Sequence, residues 1–216
     1  MQEVHGVRHF NFLPYSVSLP REYETLREEM DRDPYQWWII KPSSSSQGKG
    51  IIITNKIKDV FERKDKCQIA SHYISNPLLI DGLKFDMRIY VALTSVDPLR
   101  IYMYEEGLTR FATTSYMTPG HHYNINNKKG QYAHLTNYSI NKNNKNGFVQ
   151  NMDAENDMIG SKWSISGLRK VLRANNVDDN IIFNRIKDII IKTFMSVEAE
   201  MTSHFLLSVP HKNNCF

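Results

Sequence analysis

Short apolar, β-branched runs recur through the first half of the chain, each bounded by glycine, proline or polar clusters. "YQWWII", "GIIIT" and "QIASHYI" fit strands better than helices. From Leu83 to Thr94 the alternation is strict. Lys84, Asp86, Arg88 and Tyr90 fall on one face, and Phe85, Met87, Ile89 and Val91 on the other. "VDPLR" predicts a turn and "IYMYEEG" an antiparallel return strand. Upstream, the spacing predicts a helix from Arg21 to Met30 that ends before Pro34. "NPLLIDG" reads as a connector. "KWSISGLRKVLRANN" and "DDNIIFNRIKDIIIKTFMSVEAEMTSHF" predict two helices, the second with an apolar stripe of Ile182, Ile186, Ile189, Ile190, Phe194 and Val197. Residues 117–131 and 141–160 are rich in Asn, Lys and Gly and read as loops. No internal repeat is visible.

Composition narrows the class. With 216 residues, 41% of them apolar and 23% charged, the chain can bury a core, which favours a folded globular class over disorder. A net charge of +4 suits acidic ligands without selecting one. The two cysteines, Cys67 and Cys215, form neither a disulfide framework nor a zinc spacing, which favours a reducing compartment. No run reaches membrane-spanning length and no signal-peptide pattern opens the chain, so cytosol or nucleus is expected. The ending "PHKNNCF" carries no polar tail and reads as a fragment boundary.

The chemistry concentrates in four places. "KPSSSSQGKG" lacks the upstream glycine of a Walker A loop, and Ile53 stands where a dinucleotide fingerprint needs its third glycine. What remains is a small-residue loop whose amides and hydroxyls can approach a polyphosphate, with Lys41 and Lys49 adding charge. Taken alone, a polar hairpin loop is the better reading. The Lys84, Asp86 and Arg88 face is, by itself, an exposed salt-bridged strand. Arg110 in "EEGLTRFAT" and the run Thr136, Asn137, Tyr138, Ser139 after Leu135 are equally weak in isolation.

Their order is specific. "IIKP…SSQGKGIII", "SHYISNPLLIDGLKFDMRIYVALTS", "YEEGLTRFAT" and "HLTNYSINK" together resemble the tubulin tyrosine ligase-like family, closest to its polyglutamylase branch. The resemblance runs from "FLPYSVSLP" to "NNCF" and is loosest in the Asn/Lys-rich insertions. It implies an α+β, ATP-grasp-like fold with antiparallel or mixed sheets and packed helices, truncated at its C-terminus. On that pattern residues 1–34 lead in from a preceding domain, 35–76 form the central subdomain with the phosphate loop, and 77–216 form an incomplete C-terminal subdomain. The resemblance places Lys41 and Gln47, Gly48, Lys49 and Gly50 at the ATP phosphates, with Gln47 also at the protein acceptor. It makes Ser71, His72, Tyr73 and Ile74 the hinge whose backbone reads adenine, and sets Lys84, Phe85, Asp86, Thr136 and Asn137 around the nucleotide. Arg110, Tyr138, Ser139 and Lys162 match positions that hold the free amino acid, where a guanidinium suits carboxylates. Arg88 and Lys84 match the catalytic cations.

The implied reaction is ATP-dependent amide formation: glutamate is added to glutamate side chains of acidic tubulin C-terminal tails through an acyl phosphate. The implied cofactors are ATP and Mg²⁺, with the metal's carboxylate ligands expected beyond Phe216, so the chain is expected to be inactive alone. Expected partners are tubulin or microtubule tails and free glutamate, with no nucleic acid and no membrane. The expected setting is cytoplasmic and cytoskeletal, including cilium, flagellum or basal body. Two alternatives stay open: a family ligase adding glycine or tyrosine, and a non-catalytic nucleotide- or microtubule-binding protein.

Overall fold

The apolar runs of the first half pair into one sheet. A computed structural model describes residues 5–61, 67–120, 126–151 and 157–208. After a short helix α1 (Val7–Phe10), strands β1 (Ser16–Leu19), β2 (Trp38–Pro42), β3 (Ile52–Thr54) and β4 (Gln68–His72) associate in the order β1-β4-β2-β3, every neighbour antiparallel. Alternation sends Val17, Leu19, Trp38 and Ile40 to one face. There they meet Leu26 and Met30, one turn apart on helix α2 (Tyr23–Arg32), and Val60 of helix α3 (Ile57–Phe61). Residues 16–32, a lead-in segment on the sequence pattern, thus supply an edge strand and a helix to this core. The opposite face carries Ile39, Ile53, Trp37 and Tyr73, and it looks onto the cleft described below.

The second sheet, ordered β5-β6-β7-β8, is built on a long hairpin. Strands β5 (Leu79–Ile80), β6 (Leu83–Val96), β7 (Leu99–Phe111) and β8 (Lys162–Ser164) are antiparallel neighbours. Phe85, Met87 and Ile89 pack with Phe111 and Trp163 under helices α6 (Ile165–Ala174) and α7 (Asp179–Met195). The other face of β6 carries Lys84, Asp86 and Arg88, and the register slips between Ile89 and Val91 and again between Leu93 and Ser95.

Several boundaries differ from those expected. The connector "NPLLIDG" contains the short strand β5, which pairs with Leu83 and Lys84. "KWS" is strand β8 instead of the first helical turn, because its residues pair with Leu108, Thr109 and Arg110, and the Ser164 hydroxyl then caps α6 by accepting from the Gly167 amide at 2.9 Å. The Asn/Lys-rich stretch holds helix α4 (Lys128–His134), capped by Asn127 and anchored by buried Ala133 and His134, followed by the single turn α5 (Tyr138–Asn141). Residues 121–125 and 152–156 of the expected loops lie outside the described residues. The long terminal helix is two, α7 and α8 (Glu198–Ser208). Only the first half of α7 meets the core, through Phe183, Ile182 and Ile186, so Ile189 and Val197 of the expected stripe are exposed. Leu206 and Leu207 of α8 are exposed, the latter 84%; residues 209–216 lie outside the described residues.

Candidate functional site

A cleft of about 740 Å³ lies over the open face of the first sheet, where alternation aims Ile39 and Lys41 the same way. Ser71, His72, Tyr73 and Ile74 form one wall, and Lys84 enters from β6. Two backbone amides of this wall are already bonded. The His72 amide donates to the Tyr15 carbonyl at 2.8 Å, and the Tyr73 amide to the Trp37 carbonyl at 2.7 Å. Those two donors are spent on the chain's own backbone and are not offered to a ligand edge. The Ile74 amide has no such partner among the described residues.

Lys84 sits deep in this cleft. Its ammonium donates to the Tyr73 hydroxyl at 3.0 Å and lies 4.6 Å from the centre of that ring. Burial strips water from the charge and lowers its pKa to about 8; Asp86 opposes the shift and Lys41 adds to it. The Tyr73 hydroxyl is also 2.8 Å from His134 Nδ1. Burial, with help from Lys84, lowers the imidazole to about 4. Tyr116 closes the group, its ring 4.9 Å from His134 and its hydroxyl bonded to the Ser75 carbonyl. The sequence reading missed His134, Tyr116 and the Tyr73 side chain. The available signal was His134 standing between the apolar Ala133 and Leu135.

Beside the cleft, three strands align three charges. Asp86 pairs with Arg110 across β6 and β7, and Arg110 pairs with Lys162 across β7 and β8. Arg110 donates from Nε and Nη2 to the two Asp86 oxygens at 2.8 and 2.5 Å, and this bonding raises its pKa. The Lys162 ammonium stands 4.1 Å from the centre of the Tyr138 ring. Arg110, Tyr138 and Lys162, separate in sequence, are therefore one surface. Arg88, two residues along β6, is exposed and makes no ion pair among the described residues. Phe85 differs from its expected place at the nucleotide: its side chain is on the core face, 5.7 Å from the Phe111 ring.

The serine-rich stretch is an ordered turn. Gln47, Gly48 and Gly50 have positive φ of 61°, 78° and 74°. The Lys49 amide donates to the Ser46 carbonyl, and the Ser43 hydroxyl to the Cys67 carbonyl. The Ser139 hydroxyl donates to the Gln47 carbonyl at 2.7 Å. A methyl on Gly48 would come within 2.6 Å of the Ile140 side chain and 3.1 Å of Asn137, so the loop is seated on α5 only because it has none. Gln47 to Gly50 border a second recess of about 480 Å³ with Lys128, Gln131 and Ser139. Lys41, Lys84 and the hinge line the first cleft. Thr136 is buried beside Asn137.

The donor set suits a polyanion. Lys41 and Lys84 face one cleft, and Asp86, the nearby carboxylate, is already bonded to Arg110. Among the described residues no group of three or more His, Cys, Asp or Glu side chains can hold a metal ion. No helix among them is long and apolar enough to cross a membrane.

Comparison with known proteins identifies the family. The model of the "Tubulin-tyrosine ligase family" matches residues 1–216. The chain is 40% identical over 217 residues to the tubulin polyglutamylase TTLL5 of Homo sapiens, a match covering 100% of this chain and 16% of that protein. It is 42% identical over 201 residues to the tubulin polyglutamylase TTLL13 of Mus musculus, covering 93% of this chain and 24% of that protein. Identity to the tubulin monoglutamylase TTLL4 of Mus musculus is 36% over 215 residues, covering 100% and 17%. The chain thus spans between 16% and 24% of the length of these relatives. With two antiparallel sheets, packed helices and a family match along its whole length, this α+β, ATP-grasp-like chain belongs to the tubulin-tyrosine ligase family.

Proposed function

We propose that the protein carrying this chain is an ATP-dependent ligase that adds glutamate to glutamate side chains of acidic tubulin tails. The observation that carries this reading is the row Asp86–Arg110–Lys162 with Tyr138, set next to the cleft of Lys41 and Lys84. A polyphosphate site adjoining a carboxylate site is what joining an activated carboxyl to an amino acid requires.

The residues divide the work. Lys41 and Lys84 hold phosphate oxygens, with the Ile74 amide at the hinge. ATP supplies the phosphoryl group that turns the acceptor carboxylate into an acyl phosphate. The amine of free glutamate then attacks the acyl carbon, phosphate leaves, and the nitrogen loses its proton. Lys162 and Arg110 orient the carboxylates of that glutamate, and exposed Arg88 offsets the charge on the transferring group. Gln47, whose carbonyl accepts from Ser139, would meet the acceptor chain, and the recess beside it supports that role. Mg²⁺ is the expected companion of the phosphates, but no carboxylate cluster for it exists among the described residues. A cytoskeletal setting, including cilia, follows from tubulin as substrate.

Incorporation of labelled glutamate into tubulin by the intact protein, with and without ATP, tests the reading. ATP-dependent glutamate incorporation is expected, and Lys162→Ala should raise the KM for glutamate more than that for ATP. Incorporation of glycine or tyrosine instead would make it another ligase of the family. Nucleotide-dependent microtubule binding without incorporation would make it a non-catalytic binder.

A further inference from the structure

Behind Lys84 lies a buried polar chain for which the proposed reaction supplies no task. The Lys84 ammonium donates to the Tyr73 hydroxyl at 3.0 Å, and that hydroxyl is 2.8 Å from His134 Nδ1. Tyr73 and His134 are buried, and Tyr116 packs against the imidazole. The direction of the first of these bonds is fixed by chemistry. An ammonium can only donate, so the tyrosine oxygen accepts from Lys84 and its own proton must go to an acceptor. Burial raises the Tyr73 hydroxyl, which keeps that proton, and holds His134 neutral, so the neutral imidazole and the Tyr116 hydroxyl both offer it hydrogen-bonding partners. The Lys84 ammonium thus donates to a Tyr73 oxygen that is itself held by His134 Nδ1 and by the Tyr116 hydroxyl.

We propose that Tyr73 and His134 are positioning residues: their chain pins the Lys84 ammonium to one wall of the cleft and leaves its other protons aimed at an anionic ligand. The proposal rests on the reading of the cleft as a polyphosphate site. A lysine carries a compact charge on a flexible stem, so without a fixed acceptor it would sample many rotamers before binding. Three residues from separate elements, β6, the end of β4 and α4, remove that freedom. The titratable and charged groups around Lys84 are Tyr73, Tyr116, His134, Asp86 and Lys41. Only Tyr73 bonds its nitrogen among the described residues.

The test is competitive acetylation of the intact protein's lysines across pH, read by mass spectrometry at Lys84, with and without ATP. In the wild type the midpoint should lie near 8. Tyr73→Phe removes an acceptor from the ammonium and should move the midpoint down by about one pH unit, while weakening ATP protection of Lys84 about tenfold. His134→Leu should shift it the same way, and His134→Asn, which keeps an acceptor close to the Nδ1 position, should restore it. A purely structural role would lower the melting temperature of the variants without moving the midpoint. An unchanged midpoint in either Tyr73→Phe or His134→Leu overturns the proposal, so one folded variant suffices. A shifted midpoint with no ATP protection in the wild type would leave the chain standing and defeat the polyphosphate reading instead.

Discussion

Asp86 and Arg110 face each other across β6 and β7, and the carboxylate takes both Nε and Nη2 of the guanidinium. An incoming carboxylate therefore meets an arginine with one edge already used, and must bind its remaining edge or the adjoining Lys162. The pair is half-buried, so Asp86→Ala leaves Arg110 without its partner. A loss of about 1–2 kcal/mol is expected in urea unfolding.

Arg88 presents the opposite case on the same strand. It is exposed and has no ion pair among the described residues, so little folding energy depends on it. Arg88→Ala should change stability by less than about 0.5 kcal/mol. Turnover should fall by roughly 10²–10³-fold if Arg88 stabilises the transferring group. Measuring both on one preparation separates the roles, and a large stability loss would contradict the structure.

Nucleotide affinity should depend on pH through Lys84. With its pKa lowered to about 8, chiefly by burial, the side chain is cationic below that value and loses its charge as pH rises through it. ATP affinity, titrated from pH 7 to 9, should weaken across this window. Lys84→Arg should abolish the dependence, because a guanidinium stays charged throughout.

Acid stability should track Asp179 at the start of α7. Arg173 and Arg169 both donate to its carboxylate, and the Arg173 bonds are the main reason its pKa is lowered to about 2. A depressed carboxyl contributes stability that is fully present above its ordinary value of 3.8 and is lost as pH falls through about 2. Denaturation midpoints between pH 5 and 2 should therefore drop less steeply in Asp179→Asn than in the wild type.

Asn141 should be among the least tolerant polar positions. It is buried, accepts from the amide and hydroxyl of Thr113 at 3.0 and 2.7 Å, and donates to the carbonyls of Leu135 and Asn137 at 2.7 and 3.1 Å. Asn141→Ala strands several buried groups and should cost about 2–4 kcal/mol, read from the urea midpoint.

Local pattern foretold the elements whose partners are near in sequence. The hairpin of β6 and β7 announced itself by strict alternation and a turn at Asp97-Pro98, and Phe85, Met87 and Ile89 do pack into the core. Strand β8 escaped notice because three residues leading into a helix carry no period of their own; only pairing with Leu108 to Arg110 makes them a strand. Helix α4 was obscured by polar composition, although its cap at Asn127 was readable. The bond between Tyr73 and His134 joins residues 61 apart, and nothing in either local stretch signals it. Family order grouped Arg110 with Lys162, which are register partners across β7 and β8, and the Gln47–Gly50 turn with Lys84; that the turn is seated on α5 depends on the Gly48 contact with Ile140, which no local pattern signals.

One small contact bears on solubility. Strand β3 ends the first sheet, and a strand at an edge is a template for a wrong neighbour. There the Asn126 side chain accepts from the Ile53 amide and donates to the Ile53 carbonyl, both at 3.0 Å. A single amide group thus imitates the next strand and occupies the rim, so a second molecule arriving edge-on finds the middle of β3 already taken.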